Sequence, residues 1–470
     1  MHEKTYSLRV RLWSVVLVGV MTATSAYAQM SVGWRTDGSG KYLSATPPTQ
    51  WSKEDGVVWT SKMPQKSNST AVVVGDRIFT CAEPATLVCV SAVDGQILWQ
   101  DSARPQDLAA DAEEAAKIAE AHKQATELRK KIGKAGGKLR KAKQVLQDDP
   151  EDEALKAKVK QAQDELNSLR AQLKPYDSAW YSRPSVHGVN GFSSATPCSD
   201  GERVYALYAT GIAACYDLDG TKLWARFIEK PRIPWGPSAS PVISQGKLLL
   251  HIHHMFALDP LTGDTLWQTP LDWAWGTPSL THIGDTQVAI TGAGAIVATE
   301  DGKVLANKLG KLEYCAPVVE DGVAYFIQHG GKAYKLPEAV EGDTLKLEPL
   351  WQTKPKKDRY YASPVVHEGL IYAITQAGHF SVIDAANGEI VYEQRLQFGK
   401  GTCYPSITMA GNLIYLSCDN GVTYVVRPGR DFEEVAKNTL EPFRACPVFV
   451  GDKLYIRGQD NMYCIDGADG

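Results

Sequence analysis

Short apolar runs recur along this chain between polar turns, and the order of runs and turns repeats. A strand-like run opens after Pro or Ala. A turn with Gly follows, then a second and a third run, and then D-x-x-x-G-x-x-x-W or a worn form of it. The clearest copy begins Pro241-Val-Ile-Ser-Gln-Gly246 and closes Asp259-Pro-Leu-Thr-Gly263-Asp-Thr-Leu-Trp267. Eight copies are anchored at Ala71, Pro197, Pro241, Pro278, Pro317, Pro364, Pro405 and Pro447, with one long interruption after the first. A period of roughly 40 residues with three or four short strands per unit is the signature of propeller blades.

The repeat grammar has physical content. Pro at the start of a strand sacrifices no ladder hydrogen bond. The Asp of D-x-x-x-G caps backbone N–H groups, and the Gly takes positive φ. The closing aromatic, Trp99, Trp224, Trp267, Trp351 or Tyr392, is broad enough to wedge between neighbouring blades. The last repeat stops one strand short at Tyr463-Cys-Ile-Asp466, and a spare strand, Gly56-Val-Val-Trp59-Thr60, lies near the N-terminus. That strand is expected to complete blade eight and close the ring without leaving a sheet edge. The expected fold is therefore all-β, an eight-bladed β-propeller of four-stranded antiparallel blades, or seven if a degenerate repeat is displaced. It carries an inserted α-helical coiled-coil hairpin.

These repeats, with the lead-in Trp34-Arg-Thr-Asp-Gly-Ser-Gly40, Trp51 and Val57-Val-Trp59, resemble the PQQ-like β-propeller family. That family includes quinoprotein dehydrogenases and BamB-type assembly lipoproteins, and the lead-in is similar to that of non-catalytic bacterial members. The resemblance covers about residues 31–101 and 189–470. It is specific for fold and weak for function.

The interruption, 102–188, has a different composition. Its centre is rich in Ala, Lys, Glu, Gln and Leu, the strong helix formers. One apolar seam reads Ile118, Ala125, Ile132, Leu139, Leu146, and a second reads Leu155, Val159, Ala162, Leu166, Leu169, Leu173; both step as heptads. Asp148-Asp149-Pro150 reads as the tip of an antiparallel hairpin, with Gly133, Gly136 and Gly137 as the alternative tip. Charges of both signs suggest a solvated surface, and the hairpin is a candidate docking arm for a partner. The expected organisation is a signal peptide over 1–28, lead-in, closing strand and blade one over 29–101, the hairpin over 102–188, and blades two to eight over 189–470.

Composition adds little to the fold and more to the setting. A net charge of −4 on 470 residues gives no global basic excess, so nucleic acid is not indicated. Lys4, Arg9 and Arg11, an apolar stretch from Leu12 to Val20 and Ala26-Tyr-Ala28 form a secretory signal, implying a periplasmic or secreted protein with no membrane span. Gln29 rather than Cys follows it, unlike the BamB-type lipoproteins. Of the nine cysteines, Cys403 and Cys418 would face each other across a hairpin, and Cys81 and Cys89 flank another turn. Most of the nine are expected to be small buried apolar side chains.

Candidate chemistry is sparse. The resemblance brings PQQ and Ca²⁺ into question, but the chain has no Cys-Cys pair and no local cluster of Asp, Glu and Asn to match a calcium site. No cofactor, no metal and no catalytic residue are therefore expected. His251 and His253 would share one face of an H-x-H-H strand, a pair without a third ligand. The residue three before each anchor should stand at the channel mouth: Asn68, Ser194, Ser238, Trp275, Tyr314, Tyr361, Thr402 and Arg444. Trp275, Tyr314 and Tyr361 then form an aromatic arc, with Trp235, Trp273 and Tyr360 nearby and Arg444 beyond. Aromatic and Arg side chains together suit an extended peptide or a glycan. The alternative is that the rings simply pack between blades. The expected function is a non-catalytic binding scaffold of the cell envelope. A PQQ- and Ca-dependent oxidoreductase and a polysaccharide-binding or -processing propeller are the alternatives.

Overall fold

In a computed structural model, described over residues 33–184, 186–233 and 235–466, eight four-stranded antiparallel sheets follow one another in chain order. Blades one to seven span 72–102, 198–227, 242–270, 279–306, 318–352, 365–395 and 408–439. Blade eight joins Val448–Val450, Lys453–Arg457 and Asn461–Asp466 to the N-terminal strand Val57–Lys62, which pairs with Asn461–Asp466 from Val57↔Ile465 to Lys62↔Asn461. The ring is closed by that ladder, as the pattern of the last repeat required. The expected export signal lies outside the described residues.

The D-x-x-x-G…W grammar acts between blades. The indole N–H groups of Trp59, Trp99, Trp224, Trp267 and Trp351 donate to carbonyls of the next blade, at Ala92, Leu218, Pro260, Thr299 and Ala385 respectively. Each indole lies flat on the glycine of that next blade's turn. A Cβ built on Gly263 would sit 2.7 Å from Trp224 Cε3. The glycine therefore supplies both positive φ (+74°) and room for a neighbour's ring. Tyr392 replaces the Trp in blade six, and its ring meets Phe380 edge-on at 6.1 Å.

Nearer the axis a hydroxyl belt joins the blades. The backbone N–H of Cys446 donates to Thr70 Oγ1, Thr70 to Thr196, Thr196 to Ser240 and Ser240 to Thr277; Ala316 donates to Ser363 and Ser363 to Ser406. Each residue stands just before the innermost strand of its blade. This belt shows that blade seven is anchored at Ile407, two residues beyond Pro405, because Ser406 holds the belt position.

The lead-in lies inside the channel. Lys41–Tyr42 pairs in parallel with Thr408–Ala410, the innermost strand of blade seven. Lys41 bridges to Glu320 of blade five at 2.6 Å, and Tyr42 meets Phe449 of blade eight edge-on at 5.4 Å. Arg35 is fully buried and donates to the carbonyls of Pro364 and Ile407, both at 2.8 Å. Contacts to blades five through eight from one short segment place it on the axis.

The insertion folds as α1 (Ala112–Asp148) and α2 (Glu153–Ser178). Asp111 caps α1 and Asp152 caps α2, accepting from Ala154 and Leu155 N–H. The helix runs unbroken through Gly133, Gly136 and Gly137, and the turn lies at 149–152. The buried or half-buried seam contains Ile132, Leu139, Val159, Ala162, Leu166 and Leu169, as the heptads predict. Ala135 joins it.

Candidate functional site

The loops that enter the innermost strands meet at one end of the channel around a cavity of about 310 Å³. Trp275, Tyr314, Tyr361, Arg444 and Trp235 line it, together with Asn68, Ser194 and Ser238. Trp273 stands behind Trp275, its ring 4.6 Å away and edge-on. Tyr360 is buried between blades, its hydroxyl donating to the Lys356 carbonyl, and takes no part in the mouth. Thr402 is not at the mouth either; because blade seven is anchored two residues later, Tyr404 holds that position.

The aromatic residues form a colonnade. Trp275 stacks on Tyr314 at 5.2 Å, Tyr314 meets Tyr361 at 4.7 Å, and Tyr361 stacks on Tyr404 at 4.7 Å. The Arg444 guanidinium closes the row, 5.0 Å from the Tyr404 ring centre. Much of each ring face is thus covered by its neighbour. Burial raises the pKa of the Tyr314 and Tyr404 phenols, so both are neutral and able to donate at neutral pH. Arg359 is exposed and donates to the Tyr361 hydroxyl at 3.3 Å.

The other half of the mouth is occupied by a strap of the chain itself. After the hairpin, residues 186–191 cross blades one to three on their way to blade two. Asn68 Nδ2 donates to the carbonyls of Val189 (2.8 Å) and Asn190 (3.1 Å), and Arg444 Nη1 donates to Val189 O at 3.0 Å. Asn190 Nδ2 returns to the carbonyls of Trp235 and Gly236, and the His187 ring lies 3.9 Å from the Trp235 ring. The short side chains at Asn68, Ser194 and Ser238 leave the space this strap fills. Trp34 of the lead-in also lines the cavity. Sequence reasoning missed Trp34, Tyr404, Arg359 and the strap. Only Tyr404 carried a signal, as the aromatic of Tyr404-Pro-Ser406 aligning with Trp275-Gly-Thr277.

The residues lining the cavity do not fit PQQ with Ca²⁺. Calcium takes carboxylate and carbonyl oxygens, and among the described residues no Asp or Glu lines the cavity. Among the described residues no group of three or more His, Cys, Asp or Glu could hold a metal ion. The H-x-H-H run is a turn and not one strand. His251 ends Lys247–His251, His253 lies in the bend, and His254 opens His254–Leu258 with Nδ1 2.5 Å from Glu229 Oε1. His251 is buried, and its pKa is pushed down to about 4 by desolvation. Cys403 and Cys418 form a disulfide, and the other seven cysteines are buried and free. Cys81 and Cys89 lie opposite Leu87 and Phe79 and do not pair with each other.

Eight four-stranded blades, Trp-on-Gly joints and a cavity at the belt end define a PQQ-like propeller. The family model for the outer membrane protein assembly factor BamB matches residues 49–254 and 186–391, most of the chain, and the chain belongs to this family. It is 25% identical over 231 residues to the outer membrane protein assembly factor BamB of Yersinia pestis, a match covering 47% of each chain. It therefore spans about half the length of the curated relative it matches. Among solved structures, BamB from Moraxella catarrhalis aligns with 87% of this chain and 99% of its own, with TM-score 0.53 and 10% identity. Quinohemoprotein alcohol dehydrogenase from Comamonas testosteroni aligns with 95% of this chain and 82% of its own, with TM-score 0.55 and 10% identity. At such identities the likeness is one of fold.

Proposed function

We propose that this protein is an exported, non-catalytic binding scaffold of the cell envelope, whose propeller mouth holds an extended segment of a partner protein. One observation carries the reading: the mouth already binds a peptide main chain. The strap's carbonyls at Val189 and Asn190 are held by Asn68 and Arg444, and the open half beside them offers Arg359, tyrosine hydroxyls and an aromatic wall. Side-chain donors aimed at backbone carbonyls, with aromatic surface beside them, suit another extended chain. The name of the family, an assembly factor for outer membrane proteins, supports a protein partner. Among the described residues no helix is long and apolar enough to cross a membrane.

The test is selection of displayed random peptides on the mature protein, followed by titration of the selected peptide through tryptophan fluorescence. Trp275→Ala, Tyr361→Ala and Arg444→Ala should each weaken binding roughly tenfold or more, the range of an interface hot spot. Equal binding by all three variants would overturn the reading. So would saturable binding of a neutral oligosaccharide, or of PQQ with Ca²⁺, in the same cavity.

A further inference from the structure

Charges of both signs occur in the hairpin, but not throughout it. Between Glu127 and Asp148 there are eight basic residues and no acidic one. On an α-helix, residues 130, 134, 138 and 141 fall on one face. Lys130, Lys134, Lys138 and Lys141 are all exposed, on the side of α1 away from Ala135 and Leu139, which are buried against α2. Of these four only Lys138 is ion-paired among the described residues, with Glu165 at 3.4 Å, and both partners stay largely exposed. The row extends about 16 Å along the helix.

We infer that this lysine face is a contact surface for an anionic lipid leaflet. Three observations favour a lipid surface over an acidic protein. The row is straight and composed of lysines, compact point charges that suit a diffuse field of headgroups; bidentate recognition of particular carboxylates would favour arginine. The one large apolar residue exposed on that face is Val145, so the helix can lie against headgroups without inserting. Among the described residues the apolar seam of the distal hairpin is formed by α1 and α2 alone. The acidic tip, Asp148, Asp149, Glu151, Asp152 and Glu153, begins about 10 Å beyond Lys141 along the helix, a distance comparable to the Debye length at about 0.1 M salt. The base of the arm is seated on blade two, where Trp180 packs against Phe227 at 5.6 Å, and Arg129 pairs with Asp177 at 2.6 Å at the foot of the helices. Contact at the arm would therefore orient the propeller on the membrane.

The experiment is co-sedimentation of the mature protein with phosphatidylcholine vesicles, with and without phosphatidylglycerol, at about 0.1 M salt. Binding is expected only with the anionic lipid and should vanish near 1 M salt, where screening shortens to about 3 Å. A lysine near an anionic surface contributes roughly fivefold, so the quadruple variant K130Q/K134Q/K138Q/K141Q should lose on the order of several hundredfold. Lys→Arg at the same four positions should retain binding. Gln and Arg match Lys in helix propensity, so far-UV circular dichroism should be unchanged in both. Equal binding to neutral vesicles, no binding to either, or undiminished binding by the Gln variant would overturn the inference. So would a preference for polyglutamate or duplex DNA with vesicles ignored.

Discussion

The joint between blades can be tested at one atom. Gly263 sits at φ +74°, and an added Cβ would approach Trp224 Cε3 at 2.7 Å and Cδ2 at 2.8 Å. Gly246 has nearly the same backbone, φ +69°, and open space where its Cβ would go. Placing Ala in the left-handed region costs about 1–2 kcal/mol at either site. At Gly263 the indole must also yield, which adds about 1–3 kcal/mol of overpacking. Gly263→Ala should therefore destabilise by about 2–5 kcal/mol and Gly246→Ala by only about 1–2 kcal/mol. Urea unfolding followed by circular dichroism measures both. The decisive arm is the double variant. In a Trp224→Ala background the indole is gone and only the flexible Arg226 side chain, with Cγ at 3.1 Å, stays close, so Gly263→Ala should fall most of the way towards the Gly246→Ala cost, a coupling readable by a double-mutant cycle. If Gly263→Ala costs the same with and without the indole, the glycine is there for its turn alone and the interblade argument fails.

Other outcomes follow from the same structure. Trp59→Ala removes a buried indole that packs across the closure between blades eight and one, and should cost about 3–5 kcal/mol in the same assay. His251 has a folded pKa near 4, below the ~6.5 of a free imidazole. Its stabilising contribution is therefore complete above about pH 6.5 and is lost as pH falls towards 4, by roughly 3 kcal/mol. Comparing the pH profile of unfolding with that of His251→Gln should show the difference confined to that window, and parallel profiles would refute it. Alkylation of the denatured, unreduced chain should label seven of nine cysteines, leaving Cys403 and Cys418 to react only after reduction. Nine labels would remove the disulfide.

What could be read from the sequence was what each blade repeats. Trp and Gly spacing revealed the joints because every copy must meet the same neighbour. The strand around Trp59 was legible as the missing member of an otherwise complete set. Errors arose where one copy departs from the rest. In blade seven a proline stands two residues early at Pro405, which displaced the predicted mouth residue from Tyr404 to Thr402. At His251-Ile-His-His254 a tight turn interrupts what alternation alone reads as one strand. The axial segment 33–42 left no periodic trace, since it pairs with a single strand over two residues and is held chiefly by side chains from different blades.

The uneven mouth shows why the arc of aromatics could be predicted while its partner could not. Blades four to seven present Trp275, Tyr314, Tyr361 and Tyr404, and blades one to three present Asn68, Ser194 and Ser238. From the sequence alone the second set looks like an absence of binding residues. In the folded chain those short polar side chains make room for the strap, and Asn68 holds its carbonyls. The strap is also the segment through which the hairpin rejoins the propeller, so the arm and the mouth share one stretch of backbone. Arg444 is placed to sense both sides, with its guanidinium over Tyr404 and its Nη1 on Val189 O. Pairing with Asp419 at 3.3 Å keeps that guanidinium in position, so replacing Arg444 would remove one of the two donors to Val189 O and the end of the colonnade together. A partner segment entering the cavity would therefore lie between a fixed aromatic wall and a wall that belongs to the arm.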